Sequence, residues 1–456
     1  ICNRRCEDAC TRGTVDQAVA IDEVKRFIAQ QDLDAATRFV PEKVIPKVDG
    51  EFDQQIAIIG GGPAGLSCAY YLAEKGYRPT VFEKERRLGG MLENGLPSFR
   101  LEKDVVQAEI DVLREMGVQF RCGVEVGKDV TIAQLREQGY QGFYVAVGLQ
   151  SGGRLNIPGD DAQGVTAGID FMRRVNGGQE TKLEGRVVVI GGGNIAADVA
   201  RTAVRCGAES VDLYCLESYD DMPMGPEDRG ECERDGITIH AGWGQTEIVT
   251  ENGHAAGIRF HKCLRVKNDQ GRFAPEFDDN DTCQAQCAAV LYCIGQKVDW
   301  RQLLTGTAVT FNPNGTAQVD PVTYQTAEPG IFAGGDAVTG QKFAIDAIAA
   351  GKEGAISLHR FVQKATLTIG RNRRQFVELD KENALIPVGF DNTPRQQIGY
   401  NEALRRTFRD ERIAFTAQQV QKETARCLSC GASVVDPNKC IGCGVCTTKC
   451  AFDAIH

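Results

Sequence analysis

Residues 56–84 read IAIIGGGPAGLSCAYYLAEKGYRPTVFEK. Ile56 to Ile59 form a short apolar strand that runs straight into glycines, and a helical pattern follows from about Pro63 to Lys75. Gly60, Gly62 and Gly65 fall between them on G-x-G-x-x-G spacing. Gly60 suits the tight turn, Gly62 lets the backbone approach a pyrophosphate, and Gly65 lets helix and strand pack closely. The helix N-terminus, opening on Pro63 and Ala64, then faces the phosphates. Glu83 ends the next strand, about 20 residues on, where a carboxylate accepts hydrogen bonds from a ribose diol. A glycine-rich turn alone often means only packing, but strand, helix and acid together read as a dinucleotide site.

A second unit, VVVIGGGNIAADVARTAVRCGAESVDLYCLES at 187–218, places Gly191, Gly193 and Ala196 in the G-x-G-x-x-A variant usual for a nicotinamide dinucleotide, with Asn194 and Ile195 opening the helix. The next strand, Val211 to Cys215, ends near the adenosine ribose and leads into Leu216 and Glu217. A 2′-phosphate needs a cation, whereas a free 2′-hydroxyl is met by a carboxylate, so Glu217 favours NAD(H) over NADP(H). The alternative is that Glu217 is a solvated acid at a strand end. A third segment, YQTAEPGIFAGGDAVTGQKFAIDAIAAGKEGA at 324–355, resembles the second FAD-binding motif of two-dinucleotide flavoproteins. There Asp336, after Gly334 and Gly335, matches the acid at the ribityl and phosphate region, and a helix from about Ala344 aims its positive end at the flavin pyrimidine. The first glycine motif is therefore the FAD site.

The 456 residues exceed one core of about 150, so two or more domains are expected. A net charge of -10, without a basic stripe, argues against nucleic-acid binding; only Arg371, Arg373 and Arg374 cluster. No run of about 18 uncharged apolar residues exists to make a membrane span, and the 51 glycines suit a soluble protein rich in βα turns. No signal peptide is visible. The chain begins at Ile1 inside a cysteine cluster and ends six residues after another cysteine, so both ends read as truncated.

Eighteen cysteines, three at the front, six at the back and nine between, point to metal clusters or buried thiols in a reducing cytoplasm. Cys440, Cys443, Cys446 and Cys450 have the C-x2-C-x2-C-x3-C spacing of a ferredoxin-type 4Fe-4S cluster, with Ala451 where proline is usual. Zinc is the alternative, but zinc sites pair separated knuckles. Cys427 and Cys430 form a further C-x2-C, either extra ligands or structural. Cys2, Cys6 and Cys10 look like the trailing half of a cluster motif, the alternative being buried structural thiols. Cys68, Cys206 and Cys293 sit in apolar segments and read as core fillers.

The fold expected is α/β, with two Rossmann-like dinucleotide-binding domains, a small helical N-terminal Fe-S domain and a C-terminal ferredoxin-like segment. The N-terminal domain takes 1–45, and its helix repeats Val19, Ile21, Val24, Phe27 and Ile28. The FAD domain takes 46–155 and 296–365, with the NAD(P) domain of 156–295 inserted; the extension is 366–456, its cluster motif starting at about 425. Further candidate flavin contacts are Gly90, Met91, Arg100, Val126, Gly148, Ala344 and Ile345, and Gly295 joins the nicotinamide set. His240 reads as a strand or turn residue. Hydride passage from nicotinamide to flavin needs proximity and stacking, so no catalytic side chain is assigned.

CEDAC at 6–10, GGGPAGL at 60–66, GLPSFRL at 95–101, GGGNIAADVAR at 191–201, IFAGGDAVTG at 331–340 and RCLSCG at 426–431 together make the chain similar, over nearly its whole length, to the glutamate synthase small-subunit family. That family also includes the N-terminal half of dihydropyrimidine dehydrogenase and subunits of ferredoxin:NAD(P) transhydrogenases. The resemblance implies an oxidoreductase of thioredoxin-reductase-like fold in which NAD(P)H reduces FAD and electrons leave through 4Fe-4S clusters to other redox subunits or to ferredoxin. Members that use NADPH have an Arg pair where this chain has Leu216 and Glu217. Lys25 stands where a Glu or Gln often supplies the last N-terminal cluster ligand, and the C-terminal ferredoxin run is absent from many members. A disulfide reductase would need two thiols beside the flavin, and Met91, Leu92 and Glu93 follow Gly89 and Gly90 instead. The other reading is a non-catalytic electron-wiring or scaffold subunit of a larger redox complex.

Overall fold

Apolar runs that are buried on both faces make parallel sheets, since the crossover helices cover each side. Two such sheets form in the computed structural model, which describes residues 2–42, 52–179, 181–371, 380–381, 383, 386–430 and 440–446. In the first, the strands lie in the order Ile331–Ala333, Tyr140–Val145, Gln55–Ile59, Thr80–Glu83, Gln119–Cys122, all parallel. In the second, the order is Val165–Ala167, Ala289–Tyr292, Arg186–Ile190, Ser210–Cys215, Thr238–Ala241, again all parallel. Both fingerprint strands are therefore central, which puts each glycine loop at the carboxyl edge of its sheet, where open α/β sheets bind ligands. The late strand Ile331–Ala333 returns to the first sheet after the whole second sheet has formed. A three-stranded antiparallel meander, Trp243–Glu251, His254–Lys267 and Phe273–Gln286, stands between the last two strands of the second sheet in sequence.

The first fingerprint helix, Pro63–Glu74, carries Ala64, Cys68, Ala69, Leu72 and Ala73 in the core, at 5% exposure or less. The long helix Ala344–Val362 packs against it so closely that a Cβ on Gly351 would overlap the Ala64 carbonyl. The second fingerprint helix, Asn194–Arg205, is buried in the same way through Ala196, Ala197, Val199, Ala200 and Ala203.

The chain divides into two units: Ile1–Asn3, Gln30–Arg374 and Gly399–Ile413 form the larger, and Arg4–Ala29, Gln375–Ile398 and Ala414–His456 the smaller. The smaller is organised around two arginines. Arg12, 1% exposed, bonds Asp16 and donates to the Arg426 carbonyl at 3.0 Å. Arg426, 0% exposed, bonds Glu423 at 2.6 Å and Asp16 at 3.0 Å, while Glu423 accepts the Ala20 amide at 2.8 Å. Buried arginines persist only when paired in this manner. The described helix Ile21–Leu33 contains the exposed Lys25. Among the described residues, no helix is long and apolar enough to cross a membrane.

Candidate dinucleotide sites

At the first loop, Gly60 has φ +108°, and a Cβ there would overlap the Ala146 carbonyl oxygen. Only glycine adopts that turn without cost. Gly62 caps the helix that starts at Pro63, and a Cβ on Gly90, at φ +55°, would come within 2.7 Å of the Gly62 Cα. The turn before Met91 thus lies against the first loop. Gly65 packs on the Gly60 carbonyl. Glu83 is 7% exposed; its Oε2 accepts the Gly61 amide at 2.7 Å and its Oε1 the Glu85 amide at 2.9 Å. Burial pushes its carboxyl up from the ordinary range, and those two amides oppose the rise.

Opposite Ala64, Gly335 at φ +68° would bring a Cβ within 2.9 Å of the Ala64 side chain, so the third segment closes over the first helix. Asp336 follows it; burial pushes its carboxyl up to about 6, with Asp346 adding to the rise and the Lys342 amide opposing it. Ala344 and the exposed Ile345 open the long helix beside it. Gly148, at φ +66°, has open space where a Cβ would stand, two residues beyond the Ala146 carbonyl that covers Gly60. Val126 is a core side chain, 7% exposed.

The second loop repeats the first. Gly191 packs on Cys293, and Gly193 caps the helix with nothing within 4 Å of where a Cβ would stand. That open space above a helix N-terminus suits a phosphate. Glu217 is half-buried, and a Cβ on Gly192 would lie 2.8 Å from its Oε2. At the first loop the matching distance, from Gly61 to Glu83 Oε2, is 3.2 Å. Both acids are thus turned onto the middle glycine of their loops. The loop at Met222–Gly225, which the sequence reading did not single out, also joins: the Met224 amide donates to the Gly192 carbonyl at 2.9 Å and the Gly225 amide to Asn194 Oδ1 at 3.4 Å. Gly295, at φ +85°, has open space around it. His240 lies in an edge strand, stacked on Tyr214 with ring centroids 4.3 Å apart and bonded to Asp212 at 2.9 Å.

The Arg100 guanidinium bonds Asp198, in the second fingerprint helix, and Asp228 at 2.5 Å. Burial opposes its charge, yet Asp198, Asp228 and Glu231 raise its pKa above the ordinary arginine value. The acids that claim it lie about 100 residues or more away in sequence, and no local pattern announces them.

The two glycine loops, the acid turned onto each and the open space at Gly193 fit two dinucleotides. The cysteines give less. Cys2, Cys6, Cys427, Cys430, Cys440, Cys443 and Cys446 are exposed and Cys10 is half-buried; Cys450 lies outside the described residues. Among the described residues, no three His, Cys, Asp or Glu side chains converge to hold a metal ion. Cys430 Sγ stands 3.3 Å from Thr11 Oγ1, which brings the C-x2-C turn beside the segment that carries Cys10.

The family described as pyridine nucleotide-disulphide oxidoreductase matches residues 54–351, and a 4Fe-4S binding domain matches 433–455. The beta subunit of the NADP(+)-dependent formate dehydrogenase of Moorella thermoacetica is 34% identical over 94% of this chain, and the chain spans 64% of that subunit's length. The glutamate synthase [NADPH] small chain of Escherichia coli is 30% identical, over 79% of each chain. In fold, the chain is similar to Mycobacterium tuberculosis FprA, solved in complex with NADPH, with a TM-score of 0.58 at 18% identity over 72% of this chain and 88% of that one. On the extent of these matches, the chain belongs to the pyridine nucleotide-disulphide oxidoreductase family and carries a 4Fe-4S binding domain over residues 433–455.

Proposed function

We propose that this chain is the nicotinamide-reacting flavoprotein subunit of a larger redox assembly, taking electrons from NADH and passing them to partner subunits or a ferredoxin. The flavin domain would comprise 46–155 and 296–365, with the nicotinamide domain of 156–295 between them. One observation carries the reading: two equivalent glycine loops in one structural unit, each at the end of a central parallel strand and each faced by its own acid.

FAD bound at the first loop would supply two-electron chemistry, accepting at N5 the hydride released when the C4–H bond of the reduced nicotinamide breaks. The chain's own residues bind and orient. Gly60 makes the turn, Gly65 packs helix on strand so that Gly62 admits the pyrophosphate, Glu83 takes the adenosine ribose, and Asp336 with the start of the helix at Ala344 faces the other end. Gly191, Gly193 and Ala196 do the same for the nicotinamide dinucleotide.

The preference for NADH rests on Glu217, whose carboxylate repels a 2′-phosphate, although the relatives named above are called NADP- or NADPH-dependent. Ligation of one 4Fe-4S cluster by Cys440, Cys443, Cys446 and Cys450 rests on their spacing and on the matched domain. A second cluster on Cys2, Cys6 and Cys10 rests on spacing alone. Iron and sulfide analysis of the Cys440→Ser protein tests the first assignment, and an unchanged iron content would refute it. A disulfide reductase is disfavoured because residues 89–95 contain no cysteine.

A further inference from the structure

Arg100 lies on a segment that touches both glycine-loop regions. The loop begins at Gly90, pressed on Gly62 of the flavin-side turn, and runs through Gly95 to Leu101. On its way it is pinned by Asn176, whose Nδ2 donates to the carbonyls of Asn94 and Leu96 at 3.0 Å each, from the helix Gly168–Asn176 that flanks the second sheet. Lys103 Nζ holds it from the other side, through the Leu92 and Leu96 carbonyls at 2.9 and 2.5 Å. It ends in Phe99 and Arg100, and both dock on the second fingerprint helix. Phe99, 4% exposed, lies under the guanidinium groups of Arg201 at 4.8 Å and Arg205 at 4.1 Å. Arg100 takes Asp198, one turn into that helix from Asn194.

The partners are themselves fixed. Arg201 bonds Glu231, Asp235 at 2.8 Å and Glu411 at 3.4 Å, and Arg412 donates to the Arg100 carbonyl at 3.2 Å. The side chains of Arg100 and Asp198 are 15% and 9% exposed, so parting them would leave charge in a poorly solvated place. A fork of planar donors also fixes direction, which a lysine point charge does not.

We propose that Arg100 is a positioning residue: with Phe99 it ties the loop behind the flavin-side glycines to the nicotinamide-side fingerprint helix, and so sets the register in which the reduced nicotinamide meets the flavin. On this reading it acts through the helix it grips and not by contact with either cofactor. The inference rests on the flavin and nicotinamide reading of the two loops given above.

The test is Arg100→Gln in the flavin-loaded full chain, mixed anaerobically with NADH. Flavin content and the NADH dissociation constant should stay within about threefold of wild type, because both cradles are intact. The limiting rate of flavin bleaching should fall by about 10²-fold, the effect of a misplacement of about 1 Å between reacting groups. The long-wavelength charge-transfer absorbance of the nicotinamide–flavin complex should weaken with it, a signature that simple loss of stability does not produce. Arg100→Lys, which keeps the charge and loses the fork, should fall between the two and serves if the glutamine variant does not fold.

A limiting rate within twofold of wild type in either folded variant overturns the proposal. So does loss of flavin in proportion to the loss of rate, which would return Arg100 to the flavin site. If wild type itself is bleached by neither NADH nor NADPH, the proposed function fails and this inference with it; bleaching of wild type with unaltered variants sinks this inference alone.

Discussion

Exchanging Glu217 for glutamine should collapse the discrimination between the two nicotinamide dinucleotides while leaving the fold untouched. The Glu217 carboxylate lies against Gly192, half-buried, two residues past the strand Ser210–Cys215, where the proposed reading puts the adenosine ribose. At ~4 Å and an effective dielectric of about 20, one charge pair is worth about 4 kcal/mol, so a 2′-phosphate is disfavoured by about that amount. A ribose hydroxyl donating to the carboxylate contributes about 1.5–3 kcal/mol, against about 0.5–1.5 kcal/mol for a neutral acceptor. Partial exposure screens the charge term and moves the expectation to the low end. The ratio of the NADP+ and NAD+ dissociation constants should therefore contract by about 3 kcal/mol, or about 10²-fold. Glu217→Gln keeps the side-chain volume, and the Gly242 amide still donates to the residue-217 carbonyl, which accepts it at 2.8 Å. Equilibrium titration of the flavin-loaded protein with each oxidised nucleotide, at low and high salt, measures the ratio. A ratio unchanged within about twofold, or a wild type that already prefers NADP+, would refute the role given to Glu217.

The two glycine loops should respond differently to alanine. Gly60→Ala meets both a positive φ and the Ala146 carbonyl, so it should lower the melting temperature and abolish flavin retention; Gly193→Ala, in open space, should fold normally and weaken nucleotide binding alone. Asp336 has its pKa raised to about 6 by burial, so between pH 4 and 6 the folded state holds a proton that the unfolded state has lost, and stability falls as pH rises through that window. Asp336→Asn should flatten that fall in the flavin-free protein and raise its melting temperature at pH 7; an unaltered pH slope would count against it. Arg426→Met leaves Glu423 buried without its cation, which costs about 3–5 kcal/mol in comparable pairs, and should open the smaller unit to proteolysis within residues 4–29 while the larger unit resists.

Much of the dinucleotide architecture was legible because its chemistry is local. Gly60, Gly62, Gly65 and Glu83 fall within one βαβ unit, where spacing alone fixes which atoms meet, and the same holds from Gly191 to Glu217. The strands at 56–59 and 187–190 extended by one residue each, Gln55 and Arg186, since an exposed polar residue can pair at a strand's first position. What spacing does not encode stayed hidden. The ion-pair partners of Arg100, Asp198 and Asp228, arrive only when the two sheets come together. Met224 reaches the nicotinamide-side loop through a backbone amide, which leaves no residue-type signal. Residues 4–29 and 414–430 are joined through Arg12 and Arg426, buried arginines with partners about 400 residues away in sequence, beyond the reach of local spacing.

The most direct measurement is anaerobic stopped-flow mixing of the flavin-loaded chain with NADH and, separately, with NADPH, following flavin absorbance. Rapid bleaching by NADH at concentrations where NADPH acts far more slowly is expected from the paired glycine loops and from Glu217. Faster bleaching by NADPH would contradict the nucleotide assignment, and no bleaching by either would contradict the electron-accepting function itself.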